Sequence, residues 1–229
     1  MVSEKCIVLL SGGPDSATVA YWAKDRGYDI HAMTCKYGQI ATKEVESATR
    51  IAANLGAKIK VIDLSSLKEI FVGVTSLVDD KIPMTSSFSQ PIIVPFRNAI
   101  FLSAAVAYAV AISAPRIYYG AQGSDALFYP DCRREFYESF QTTARLGTAK
   151  EILIEAPFSE ISKVSLLKLG FELGVPYGLT WSCYFNGSRH CGACESCINR
   201  KRAFIEAGIP DPTEYDAPSR FNNGSNSLS

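Results

Sequence analysis

One short string near the N-terminus has the residue types of a phosphate-binding loop: Ser11, Gly12, Gly13, Pro14, Asp15 and Ser16. It lies between an apolar run that predicts a buried strand and a segment that begins like a helix. Two glycines let the backbone approach an anion closely, and the free N–H groups and dipole of the next helix favour negative charge. The predicted polyphosphate-binding residues are Leu10, Ser11, Gly12, Gly13, Pro14, Asp15, Ser16, Ala17 and Thr18.

Other interpretations of this string are open. An ordinary glycine turn with a helix cap uses the same residue types. Asp15 would repel phosphate unless it holds Mg²⁺ or caps the helix, and we favour one of these two roles. No Gly-Lys-Ser/Thr follows the glycines, and the Gly-x-Gly-x-x-Gly spacing is missing. GTPase and dehydrogenase functions are therefore disfavoured.

Four of the seven cysteines lie close together in the chain, at Cys183, Cys191, Cys194 and Cys197. Two residues between paired cysteines form a turn that brings both sulfurs to one ion. Four thiolates complete the tetrahedral coordination of Zn²⁺, so we predict one structural zinc ion. An iron–sulfur cluster is the alternative, because consecutive C-x2-C pairs also occur there. We expect the neighbouring His190 to be a bystander.

Short β-branched runs alternate with longer segments of helical period, which predicts an α/β fold. We expect a doubly wound, five-stranded parallel sheet whose strands are covered on both faces. The predicted strands are 5–10, 29–34, 58–64, 116–120 and 151–154. The predicted helices are 15–25, 42–54, 96–112, 132–146, 162–173 and 195–207. The helix at 96–112 is apolar nearly all round, which predicts a central, buried helix.

The chain divides into a predicted nucleotide-binding α/β domain at 1–178, a zinc-binding helical appendage at 179–217 and a disordered tail at 218–229. The 23 basic and 23 acidic residues cancel, so we expect a small-molecule substrate and no direct nucleic-acid partner. The N-terminus lacks the apolar stretch of a signal peptide, and no other segment could cross a bilayer without a charge or turn residue. We therefore expect a cytoplasmic protein without a membrane partner.

The loop string resembles the signature of the PP-loop ATP pyrophosphatases. Five further strings resemble the 7-cyano-7-deazaguanine synthases of queuosine and archaeosine biosynthesis, namely 37–39, 94–98, 129–133, 180–184 and 191–197. The resemblance extends from about residue 6 to residue 215 and implies an adenine nucleotide alpha hydrolase-like fold. Lys36, Ile40 and the run 124–128 depart from the family pattern in substrate-facing loops.

The resemblance implies an ATP-dependent ligase that converts 7-carboxy-7-deazaguanine and ammonia into the nitrile by way of an amide. Adenylation gives the carboxylate a leaving group that ammonia can displace, and a second activation dehydrates the amide. The protein must supply positioning and charge stabilisation. The predicted catalytic residues are Asp15 with Mg²⁺, Ser16, Arg97, Arg133 and Lys163. A structural ion pair for the arginines and a solvated surface position for Lys163 are the alternatives.

Two rival functions are a tRNA-thiolating PP-loop enzyme and a non-catalytic ATP-binding module. The first needs a basic surface and a reactive cysteine, for which Cys132 is a weak candidate because it begins a predicted helix. Packing is the simpler role for Cys132. The assembly is not determined by the sequence, which allows a homodimer.

Overall fold

The computed structural model describes residues 3–216, and its centre is a parallel five-stranded sheet in the order β3-β2-β1-β4-β5. Ile7 in β1 lies opposite His31 of β2 on one side and Ile117 of β4 on the other. The strands are β1 (Lys5–Leu9), β2 (Asp29–Lys36), β3 (Lys58–Asp63), β4 (Arg116–Tyr118) and β5 (Leu153–Glu155). The predicted α/β fold and its five parallel strands are thereby confirmed.

Helices cover both faces of the sheet because alternate side chains of β1 point to opposite faces. Cys6 and Val8 pack with α1, α2, α7 and α8, whereas Ile7 packs with α4 and α6. The helices are α1 (Pro14–Asp25), α2 (Lys43–Leu55), α3 (Lys68–Phe71), α4 (Arg97–Ile112), α5 (Asp125–Phe128), α6 (Arg134–Thr148), α7 (Lys163–Glu172) and α8 (Glu195–Ala207). Each strand and helix predicted from the sequence lies within two residues of an observed one.

Two burial predictions were wrong. β3 is an edge strand whose side chains are largely exposed, with Val61 at 43% exposure, so it is not covered on both faces. Helix α4 buries one side against the sheet and exposes Ser103, Ala107 and Val110 on the other. Small alanine and serine side chains make a helix apolar in composition without requiring that every face be buried.

One segment within residues 3–216, Gln90–Ile112, has the length and apolar composition of a membrane-crossing helix. Its helical part, α4, packs against β1, β4 and α6. A core helix passes the same composition test. The predicted disordered tail at 218–229 lies outside the described residues.

The direction of winding reverses beside β1, whose neighbours are β2 and β4. In open parallel sheets, the crevice at the carboxyl ends of two such strands is the usual ligand site. Gly120, just after β4, permits a close approach there, since an added Cβ would lie 2.9 Å from the backbone nitrogen of Ser16. The topology therefore places the predicted phosphate loop at this crevice.

Candidate functional site

A cavity of about 320 Å³ opens at the carboxyl ends of β1, β2 and β4. We call one part of its wall the loop side, formed by Ser11, Gly13, Pro14, Asp15, Ser16 and Lys163. A second part, the charge-pair side, is formed by Tyr37, Glu44 and Arg97. Apolar side chains complete the wall, among them Leu77, Ile92, Val94 and Phe101.

The predicted phosphate loop is held in shape by hydrogen bonds within itself. The hydroxyls of Ser11 and Ser16 lie 3.0 Å apart, and Ser11 N donates to Ser16 Oγ at 3.1 Å. Gly13 N donates to Ser11 Oγ, and Ser16 Oγ donates to Gly13 O. Gly12 has a φ of +90°, and a Cβ at this position would overlap the carbonyl oxygen of Glu44. Only glycine therefore fits where the loop meets α2.

Asp15 does not cap α1, so of the two roles predicted from the sequence only the one with Mg²⁺ is left as a prediction. Its carboxylate forms an ion pair with Lys163 at the start of α7, and the helix cap residue is Gly13, which makes no side-chain cap. Lys163 thus offsets the negative charge that would repel phosphate. Nearby, burial and then Asp15 raise the pKa of Asp125 to about 6. The main chain and side chain of Gln122 donate to both oxygens of Asp125 at 3.1 and 2.9 Å.

The charge-pair side comes from separate parts of the chain. Phe96 has a φ of 55°, unusual for a bulky side chain, and this turn places Arg97 at the start of α4. Arg97 Nη1 donates to Tyr37 Oη at 3.2 Å. Burial raises the pKa of Glu44 to about 7, although the Arg97 guanidinium and the Gln39 amide favour its ionised form.

The remaining predicted residues are distributed inside and outside the cavity wall. Leu10 lines the cavity, whereas Ala17 and Thr18 are fully buried in α1, where Thr18 Oγ1 donates to Pro14 O at 2.9 Å. Arg133 is exposed, donates to Ala126 O at 3.1 Å and is absent from the cavity wall. Cys132 lines the cavity, but burial raises its pKa to about 12, which does not favour a nucleophilic thiolate.

The four clustered cysteines form a buried donor set suited to one metal ion. Their sulfurs all lie within 4.8 Å of one another, and Cys191 Sγ is 3.9 Å from Cys197 Sγ. Four sulfurs around a tetrahedral ion with 2.3 Å bonds would be about 3.8 Å apart. Backbone N–H groups of Phe185 and Cys191 point at Cys183 Sγ, each at 3.4 Å. Such donors stabilise thiolate ligands.

Residues next to the cysteine cluster contact the predicted phosphate loop. Trp181 N donates to Gly12 O at 2.9 Å, and the Trp181 ring packs on His190 with centroids 4.2 Å apart. His190 Nε2 accepts from Ser182 N at 3.0 Å, so His190 is not used as a ligand. Buried Arg200 donates to Thr180 Oγ1 at 2.7 Å and pairs with Asp211. The appendage therefore packs against the loop at the carboxyl end of β1.

Sequence reasoning missed Glu44 and Asp125 as cavity residues. Glu44 opens an amphipathic helix, where acidic residues are common for electrostatic reasons alone. Its proximity to Arg97 depends on the packing of α2 and α4 against the sheet, which no local pattern records. Asp125 lies in the run 124–128, which departs from the family pattern, and because Asp is also an ordinary turn residue its type alone does not mark it as a cavity residue.

Comparison with known sequences identifies relatives along nearly the whole chain. The family described as "Queuosine biosynthesis protein QueC" matches residues 5–208. A 7-cyano-7-deazaguanine synthase from Methanoculleus marisnigri is 45% identical, over 93% of this chain and 99% of that protein. The synthase from Thermoplasma acidophilum is 40% identical, over 94% of each chain.

Solved structures share the fold at lower identity. A 4-thiouridine synthetase solved with RNA and bound ATP aligns with a TM-score of 0.54, 18% identity, and 90% of this chain and 50% of that chain covered. An NMN synthetase from Francisella tularensis aligns with a TM-score of 0.52 and 18% identity, covering 95% and 90%. At this identity the comparison establishes the α/β architecture alone.

Proposed function

The chain belongs to the QueC family of queuosine biosynthesis proteins, and on this basis we propose that it is an ATP-dependent ligase that makes 7-cyano-7-deazaguanine. The observation that carries the proposal is the cavity itself, in which a preformed phosphate loop and a separate charged wall face one space. A polyphosphate and a polar heterocycle could meet there. The substrate is 7-carboxy-7-deazaguanine, with ammonia as the nitrogen source.

The reaction is two activations of the same carbon. ATP adenylates the carboxylate with release of pyrophosphate, ammonia attacks the acyl carbon, and AMP and a proton leave to give the amide. A second ATP adenylates the amide oxygen, again with release of pyrophosphate. Loss of AMP together with both N–H protons then leaves the nitrile. In both activations an oxygen of the substrate attacks the α-phosphorus of an ATP bound in the same place. One loop can therefore serve both steps.

The protein contributes positioning and charge. Ser11, Ser16 and the N–H groups at the start of α1 bind phosphate oxygens, and Lys163 compensates the charge that develops during transfer. Bound phosphate would replace the hydroxyl contact between Ser11 and Ser16. Arg97 acts on the substrate from the charge-pair side. Arg133, exposed and outside the wall, supports the α5 turn through Ala126 O.

We propose zinc for the cysteine cluster and Mg²⁺ for the nucleotide. Zinc would be held by the four sulfurs as a closed structural site, and the sulfur spacing supports one ion rather than a multi-iron cluster, which would lie between its cysteines and separate them further. Asp15 would share Mg²⁺ with the phosphates. Elemental analysis should give about one zinc per chain and a colourless protein; brown colour with acid-labile sulfide would contradict it.

The remaining assignments concern the surroundings of the enzyme. Zero formal net charge supports a free base as the substrate rather than a nucleic acid. We place the protein in the cytoplasm, without a membrane partner. A homodimer is the assembly to test first, by light scattering. The raised pKa of buried Cys132 argues against the tRNA-thiolating alternative.

The test is a direct assay with purified protein, ATP, Mg²⁺, ammonium and 7-carboxy-7-deazaguanine, followed by mass spectrometry. We expect the amide first and then the nitrile. The control is a Ser16→Ala, Asp15→Ala double variant, which should form neither product. Wild-type product no higher than this control would overturn the proposed function.

A further inference from the structure

The charge-pair side holds two opposite charges that the protein does not join. Glu44 and Arg97 both line the cavity, yet no ion pair within residues 3–216 connects them. Gln39 lies beside Glu44, and its amide accepts from Tyr37 N at 2.9 Å and donates to Cys35 O at 3.3 Å. The Gln39 amide also favours the ionised form of Glu44. A carboxylate has about four acceptor sites, so one neighbouring amide leaves Glu44 with acceptor capacity that a ligand in the cavity can use.

The Watson–Crick edge of a guanine supplies the missing partners. N1–H and the exocyclic 2-amino group are adjacent donors, which one carboxylate can accept together, and O6 beside them is an acceptor for a guanidinium. Adenine has an acceptor at N1, so a carboxylate facing it would meet a lone pair. Glu44 therefore fits the deazaguanine and not the adenine of ATP.

We propose that Glu44 is the specificity-determining residue for the base, accepting hydrogen bonds from N1–H and the 2-amino group, while Arg97 donates to O6. The inference rests on the proposed function and names the recognition that it requires. When the base is held by its Watson–Crick edge, C7 lies on the opposite side of the ring system. The carboxylate at C7 is then free to meet the phosphate loop, which faces the same cavity.

The position of Arg97 is consistent with this role. Tyr37 accepts one N–H of the guanidinium at 3.2 Å, and the guanidinium carbon lies 5.7 Å from the Tyr37 ring centroid. A guanidinium carries five N–H donors, so others are available to a ligand. Tyr37 thereby orients Arg97 without using up its donor capacity.

The test measures binding of two ligands without ATP, so that no turnover occurs. One ligand is 7-carboxy-7-deazaguanine, and the other is the same molecule without its 2-amino group. Isothermal titration calorimetry should show that wild type prefers the first by about 10- to 100-fold, the range of a good bidentate contact. Glu44→Gln should reduce the preference to threefold or less, mainly by weakening binding of the complete base.

Glu46→Gln is the matched control, since Glu46 is exposed on the same helix and pairs with Lys43. It should keep the wild-type preference. Glu44→Asp, which retains a carboxylate, should keep part of it. ATP affinity measured on each variant reports whether the loop is intact.

Two results would overturn the inference while leaving the enzyme assignment in place: nitrile formation by a Glu44→Gln variant that still prefers the complete base, or a wild type that binds both ligands equally. The second result needs no variant, so it decides the question even if Glu44→Gln fails to fold. A wild type that forms no nitrile overturns the proposed function instead.

Discussion

The loop side and the charge-pair side of the cavity are built in opposite ways. On the loop side, neighbouring residues satisfy one another: Ser11 bonds Ser16, and Asp15 pairs with Lys163. On the charge-pair side, Glu44 and Arg97 approach from different helices and remain unjoined. A loop whose groups already hydrogen-bond one another does not select a particular base, whereas a wall with spare donors and acceptors gains most from a ligand with the complementary edge. Under the proposed function, the loop side would therefore bind phosphate in general, and the charge-pair side would select the base.

The largest expected effect is on the loop side. Lys163→Met removes the cation near the phosphates and leaves Asp15 unpaired, so kcat should fall by about 100- to 1000-fold, as when one preorganised donor is lost. Binding of the deazaguanine without ATP should change less than twofold. Steady-state kinetics and calorimetry measure the two quantities. Lys168→Met, exposed on the same helix, is the control and should behave as wild type. A fall in kcat below threefold would remove Lys163 from catalysis.

The close contact between Gly12 of the loop and the backbone of Glu44 should be sensitive to any added side chain. An alanine Cβ at Gly12 would overlap Glu44 O and lie 3.0 Å from Ala48 N, in addition to the strain of a φ of +90°. We expect Gly12→Ala to lower the free energy of unfolding by about 3 kcal/mol. Gly27→Ala, also at positive φ but with no atom near the added Cβ, should cost only about 1 kcal/mol. Urea denaturation compares them, and equal losses would show that the Gly12 contact is unimportant.

A pH series addresses Glu44 on the charge-pair side, and the Glu44→Gln variant separates its titration from that of Asp125, whose pKa is raised to about 6 by burial in the same cavity. Free Glu44 has a pKa near 7, raised by burial, and the bound base stabilises its carboxylate and lowers that pKa. Arg97 remains charged, while burial raises the pKa of Cys35 to about 12 and also raises that of Tyr37, so both stay neutral. Binding therefore requires loss of the Glu44 proton below pH 7.

The dissociation constant of the deazaguanine should thus be about tenfold higher at pH 6 than at pH 8 and constant above pH 8. Calorimetry in matched buffers measures it. Glu44→Gln should give a flat profile. An unchanged slope in that variant would assign the titration to another group.

The same contrast explains what the sequence could predict. The phosphate loop and the cysteine cluster are contiguous motifs, so their residue types and spacing carry their chemistry. Strands and helices follow from local periodicity. Glu44 and Arg97 line the same cavity only because α2 and α4 pack on a shared sheet. No local sequence pattern predicts that the two residues are close in space. The two burial predictions failed for the same reason, because local composition does not state which face of α4 or β3 another element covers.

Arg133 provides the smallest expected effect and the sharpest contrast with Arg97. From sequence the two arginines were equivalent candidates for charge stabilisation. In the fold, Arg97 lines the cavity, whereas the exposed Arg133 side chain donates to Ala126 O at 3.1 Å. A single exposed hydrogen bond contributes at most about 1 kcal/mol. Arg133→Met should therefore change kcat/KM for the deazaguanine less than fivefold, at saturating ATP.

Arg97→Met, assayed beside it, should lower kcat/KM at least tenfold more, because it removes a donor to the base and leaves Glu44 without its electrostatic counterpart. If instead both variants lost activity equally, α5 and its connecting turn would have to bring Arg133 to the substrate when ligands bind. The charge-pair side would then extend beyond Tyr37, Glu44 and Arg97, and base specificity would depend on closure of that turn rather than on a wall already in place.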